Sequence, residues 1–158
     1  ELINMGGNWT NASAYDYEGY FQRKYGSFAA QAGGPITELN YGTNWRHIRY
    51  ADVLLMAAEA HFRAGAEPMA RQYLNDVRER PGTNLPIVTA TGNALFEAIV
   101  LERQLELAFE GVRFTDLVRW GRAAQELSSL GFVSGKHELL PIPDYDIRTG
   151  GLTQNDNY

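Results

Sequence analysis

Between Leu101 and Gly121 the chain reads LERQLELAFEGVRFTDLVRWG, a run of alternating charges set in a segment otherwise too apolar for a surface. On a helix turning roughly 100° per residue, Leu95, Ile99 and Phe109 share a sector with Glu102, Glu106 and Glu110. Phe96, Val100, Leu101, Leu105 and Leu107 occupy most of the remaining circumference. Such a helix is covered on several sides, and a covered carboxylate needs a partner. Arg103, Arg113, Arg119 and Arg122 lie within two turns or just beyond the glycine. The segment is therefore either a catalytic centre or a structural lattice of ion pairs.

The neighbouring sequence is helical too. Arg49, Asp52, Glu59 and Arg63 fall in one narrow sector of a helix that Gly65 ends, and Ala57, Ala58 and Ala60 keep its apolar side thin enough for another helix to approach. Glu67-Pro68 opens a second helix running to about Arg80, proline being tolerated in a first turn. So short a gap predicts an antiparallel pair. Asn93 is expected to cap a helix from Ala94 to about Glu110, with Glu97 facing the helix dipole. Gly111 breaks it, and helices over 112–120 and 122–130 follow. Helix pairs of about 30–35 residues match the length of a tetratricopeptide repeat, and roughly three such units are needed for a continuous core.

The expected fold is mainly α: tetratricopeptide-like helix pairs in an alpha-alpha superhelix, with irregular loops and a few short strands. Residues 1–45 form an irregular, aromatic-rich segment with strands near Tyr20–Tyr25 and Ile36–Tyr41. Residues 46–130 form the helical repeat body, and 131–158 an extended tail that packs on it.

A net charge of −5 argues against a nucleic-acid partner, whose phosphates are bound chiefly by lysine and arginine. The chain has no cysteine, which removes thiol nucleophiles and thiolate metal sites together. His47, His61 and His137 have no companion at metal-ligand spacing. Asp144, Asp146, Asn155 and Asp156 lack the spacing of a calcium loop and read as a surface turn. No metal and no cofactor is expected. The chain opens on Glu1, and an export signal is expected upstream of it.

Glu102, Glu106 and Glu110, spaced by four, would supply the paired carboxylates of a glycosidase. Arginine partners favour the ionised form of a carboxylate, the reverse of what a general acid needs. We therefore assign Glu102, Arg103, Glu106, Glu110, Arg113, Asp116 and Arg119 to a structural lattice. If Arg113 clamps a buried acid there, Arg113→Ala costs about 3–5 kcal/mol. The aromatic opening segment offers different chemistry. Trp9, Tyr15, Tyr17 and Tyr20, with Asn11 and Asp16 among them, combine flat rings with a polar rim. Rings stack on the C–H face of a sugar while amides and acids bond its hydroxyls, so these six are the candidate ligand contacts. The same rings would equally pack the segment onto the helices.

RYADVLLMAAEA (49–60), LNDVRER (74–80), ERQLELAFEGVRFTDLVRWG (102–121), LPIP (140–143) and QNDNY (154–158) occur in that order. Together they resemble the C-terminal part of the SusD/RagB family of nutrient-binding outer-membrane lipoproteins of Bacteroidetes. The resemblance covers residues 44–158 and is weaker before them. It implies a helical body on tetratricopeptide-like pairs and an anchor at the cell surface through a lipidated cysteine outside this chain. It further implies packing against an N-terminal remainder of the same protein, and a SusC-type TonB-dependent transporter as partner. Family members capture oligosaccharides or other nutrients without cleaving them. The expected function is thus non-enzymatic glycan capture for import. The alternative is a tetratricopeptide-type interaction scaffold with no small-molecule ligand.

Overall fold

The computed structural model describes residues 2–4, 20–22, 24, 46–83 and 85–158. The chain divides into two compact units, residues 1–50 and 51–158. In the first, β1 (Leu2–Asn4) pairs antiparallel with β2 (Tyr20–Gln22), Ile3 standing opposite Phe21. β2 lies where a strand is expected. Its partner is too short to show the alternation that marks a strand in sequence. The strand expected at 36–41 lies outside the described residues.

The remainder is mainly helical. α1 spans Tyr50–Arg63, α2 Glu67–Arg78, α3 Gly92–Glu106, α4 Arg113–Arg119, α5 Ala123–Leu127 and α6 Asp144–Gly150, with a 3-10 turn over Ser128–Leu130. α1 ends through Gly65, whose φ of 77° is cheap only for glycine. The Ala66 N–H then returns to the His61 carbonyl at 2.8 Å and the Gly65 N–H to Phe62 at 3.0 Å. Those bonds satisfy carbonyls that a helix end leaves open. α2 begins at once, with Pro68 in its first turn.

One core joins these helices. Leu54, Leu55 and Ala58 of α1 meet Ala70, Leu74 and Val77 of α2 and Leu95 and Ile99 of α3, and Leu107 closes the cluster. Each fully buried leucine or isoleucine here contributes about 1.5–3 kcal/mol over leaving it in water. Along residues 85–90, side chains of α2 hold backbone groups of Pro86, Val88 and Ala90. Asn75 both donates to the Val88 carbonyl (3.0 Å) and accepts from the Val88 N–H (2.8 Å). Arg78 Nε donates to the Pro86 carbonyl at 2.9 Å and Arg71 Nη1 to that of Ala90 at 3.3 Å. Positions 71, 75 and 78 share one helix face, so α2 holds the loop as a strip along its side.

Three boundaries depart from the expectations. α3 starts at Gly92 after an extended Thr91, not after Asn93, and no side chain of its own N-cap serves it. Glu67 of α2 accepts the Gly92 N–H instead, at 3.0 Å. α3 also stops at Glu106 instead of running to Glu110: the Glu110 N–H bonds back to Leu107 at 3.1 Å, and Phe109 adopts a φ of 65°. The early stop lets α4 return Asp116 to Arg103, two residues that are 3% and 5% exposed. Finally, the tail 131–158 is not extended throughout, because α6 occupies Asp144–Gly150. Asp144 and Asp146 sit in its first turn and Arg148 in its last, the arrangement the helix dipole favours. The rest of the tail is laced by side chains. Gln154 accepts from the Ile142 N–H (2.8 Å) and donates to its carbonyl (2.9 Å), and Asn155, Asn157 and Tyr158 donate to the carbonyls of Leu140, Gly135 and Leu139.

Candidate functional site

The charged residues of α1, α3 and α4 converge on one connected cluster. α1 carries Asp52, Glu59 and Arg63 on one face, α3 turns Arg103 inward, and α4 presents Asp116 and Arg119 three residues apart. Arg103 Nη1 donates to Asp52 at 2.9 Å, and its Nε and Nη2 grip Asp116 at 2.8 and 3.2 Å. Arg119 Nε donates to the same Asp116 at 2.9 Å, while its Nη1 and Nη2 clasp Glu59, each at 2.6 Å. Arg63 Nε and the Trp120 indole complete the set around Glu59, both at 2.9 Å. The planar fork of arginine suits this two-point grip on a carboxylate.

Glu59 is the hub. Burial pushes its carboxyl up, but hydrogen bonds from Arg119, Trp120 and Arg63 and the Arg119 charge outweigh that, and it is held down from 4.5 to about 2. Arg119 moves the opposite way, raised chiefly by its hydrogen bonds to Glu59. A carboxylate so held is ionised at neutral pH and has no proton to give a leaving group. The formal charges of Asp52, Glu59 and Asp116 cancel those of Arg63, Arg103 and Arg119. Beside the cluster lies an open depression of about 410 Å³, lined by Met56, Glu59, Ala60, Arg63, Arg103 and Arg119.

The other acids of α3 find partners that the central segment does not contain. Glu102, 4% exposed, is bound by Arg78 of α2. Glu106 pairs with Arg80 at 2.5 Å. Arg122 reaches back to Glu97, which its hydrogen bonds hold below the usual carboxylate range. Glu97 therefore serves an ion pair between α3 and the start of α5 instead of the dipole role expected for it. Glu110 sits in the turn after α3. Arg113, assigned to clamp the glutamates, is the first residue of α4, and its buried Nη1 has no hydrogen-bond partner among the described residues. Arg78 and Arg80 of the LNDVRER stretch take that clamping place. Glu59, the hub, is absent from the sequence-assigned lattice, although it shares its narrow helical sector with Asp52 and Arg63. That grouping was the signal that could have found it.

Of the candidate ligand contacts, Trp9, Asn11, Tyr15, Asp16 and Tyr17 lie outside the described residues, and Tyr20 is in β2, opposite Asn4. His61 and His137 have separate surroundings: His61 stacks on Tyr73 at 5.4 Å, and His137 Nδ1 accepts the Val133 N–H at 2.9 Å.

A family model described as SusD family matches residues 2–132. SusD-like protein P2 of Formosa agariphila is 34% identical over 149 residues, which is 84% of this chain and 29% of that protein. SusD-like protein P25 of the same organism is 36% identical over 115 residues, 66% of this chain and 22% of its own length. Among solved structures, a laminarin-binding SusD-like protein superposes with a TM-score of 0.74 at 40% identity, covering 89% of this chain and 29% of that one. A SusD-like protein of Bacteroides fragilis gives 0.63 at 30% identity, over 79% and 28%. The chain thus spans less than a third of the length of these similar proteins.

Proposed function

The chain belongs to the SusD family, and on that premise we propose that it forms part of a cell-surface protein that captures glycans without cleaving them. In this reading the protein is held at the outer membrane by a lipid outside residues 1–158 and passes its ligand to a SusC-type TonB-dependent transporter for import. The observation that carries the glycan reading is the 40% identity to a laminarin-binding SusD-like protein across most of the chain. The charge cluster supports the non-enzymatic part, because Glu59 is locked as an anion among arginines and acts as scaffolding.

Trp9, Asn11, Tyr15, Asp16, Tyr17 and Tyr20 are the proposed ligand contacts, rings for the sugar faces and polar groups for the hydroxyls. Isothermal titration of the intact protein with laminarin and a panel of other oligosaccharides tests the reading. Heat of binding to at least one glycan is expected, with no release of reducing sugar. Alanine at Trp9, Tyr15 and Tyr17 together should abolish that heat while leaving capture of the transporter unchanged. Absence of binding to every glycan, with transporter capture intact, would instead favour the interaction scaffold.

A further inference from the structure

We infer that a row of rings running from α4 into the tail is a second, weaker glycan platform, one that helps retain a long sugar chain. The inference rests on the glycan reading above and adds a site to it. Phe114 of α4 meets Phe132 with ring centroids 6.2 Å apart, Phe132 meets His137 at 5.8 Å, and His137 meets Tyr158 at 6.5 Å. The interplanar angles are 58°, 73° and 49°, so no two neighbours lie flat on each other. Rings packed within the helical body do: Phe62 stacks on Phe96 at 23° and His61 on Tyr73 at 22°. Edge and tilted contacts cover fewer ring faces than stacking does. The two ends of the row, Phe114 and Tyr158, are 44% and 41% exposed.

Polar groups sit at the Tyr158 end. Lys136 holds its ammonium 4.9 Å from the centroid of the Tyr158 ring, and among the described residues that ammonium has neither an ion pair nor a hydrogen bond. Its three donors remain for a ligand. Asn157 donates through Nδ2 to the Gly135 carbonyl at 2.8 Å, and among the described residues its Oδ1 is left to accept. The Tyr158 ring is held in place, because its hydroxyl donates to the Leu139 carbonyl at 2.8 Å. Fixed rings with unspent donors and an acceptor beside them match a sugar, whose C–H face stacks on a ring while its hydroxyls exchange hydrogen bonds. Packing of the tail accounts for the half-buried Phe132 and His137. It does not account for two exposed end rings and a cation without an anion. So open a surface holds a sugar weakly by itself. A long chain already bound at the contacts proposed in the opening segment reaches the row at a high effective concentration when it spans both, whereas a short oligosaccharide fills one site at a time.

The full polypeptide as the cell makes it is run on native gels cast with soluble laminarin, starch or xylan. The hexasaccharide of whichever polymer retards it is then titrated calorimetrically. Two variants are compared with wild type: Phe114→Leu with Tyr158→Leu, which removes both end rings and keeps apolar bulk, and Lys136→Met, which removes the donors alone. The expected result is a rise of about tenfold in the apparent Kd for the polymer in the ring variant, and a smaller rise in Lys136→Met. The hexasaccharide heat, which reports the other site and the integrity of the fold, should stay as in wild type. A ring variant retarded as strongly as wild type would overturn the inference and leave the glycan reading intact. Hexasaccharide heat lost in step with retardation would overturn it too, since the rings would then act through the fold or the first site. If no polymer retards wild type and no oligosaccharide gives heat, the glycan reading itself fails and takes the inference with it.

Discussion

Replacing Glu59 with glutamine keeps the shape of the hub and removes its charge. The carboxyl is held from 4.5 down to about 2 in the folded protein, which at ~1.4 kcal/mol per pH unit corresponds to about 3 kcal/mol at neutral pH. Two of its partners, Arg63 and Arg119, are 54% and 41% exposed, so solvent screening reduces the realistic contribution to about 1–2 kcal/mol. Because the folded-state value is depressed, this stability is present in full above the unfolded value of 4.5 and is lost as pH falls through the folded value near 2. Urea denaturation of wild type and Glu59→Gln from pH 7 down to 2 measures it. All other carboxylates titrate in both proteins, so the difference between the curves isolates Glu59. That difference should be about 1–2 kcal/mol at pH 7, hold to about pH 5, and shrink steadily towards pH 2. A gap of the same size at both ends of the range would refute the reasoning, because it would owe nothing to the charge.

Arg103→Met should cost about 3–5 kcal/mol in the same assay, since it leaves Asp52 and Asp116 facing each other across a buried site; a loss under 1 kcal/mol would show that Arg119 alone neutralises them. Arg113→Ala, by contrast, should stay within about 1 kcal/mol, because its buried Nη1 is unbonded and its removal strands no acid among the described residues. Urea midpoints of the two arginine variants, compared side by side, check that order. Gln154→Ala removes two hydrogen bonds to Ile142 and should cost about 1–2 kcal/mol, read as faster amide exchange at Ile142 with little change in the exchange of α1–α3.

The helices were legible because their causes are local. Gly65 with Pro68, and the small residues of α1, mark the start and end of elements whatever the chain does elsewhere. The lattice was legible in kind but not in pairing. Periodicity shows that Glu102 needs a cation, yet Arg78 lies on a different helix, 24 positions away, and only tertiary packing brings the two together. The cap of α3 was hidden for the same reason, since Glu67 reaches Gly92 across 25 positions. α6 is hidden because Asp144 and Asp146 read as a surface turn, and a helix of 7 residues is too short to display a period. The segment proposed to face the ligand is legible only as a concentration of aromatic residues, a pattern that does not by itself distinguish a sugar-stacking platform from rings packed inward.

The hydrogen bonds from Gln154, Asn155, Asn157 and Tyr158 all go to the main chain of residues 135–142, while the Tyr158 ring also meets the side chains of Lys136 and His137. Any residue able to keep the same backbone course can therefore replace Leu139 or Leu140 without loosening the attachment. The outer rim of this region is thereby uncoupled from its fastening, and its chemistry can drift through substitution while its position in space stays put.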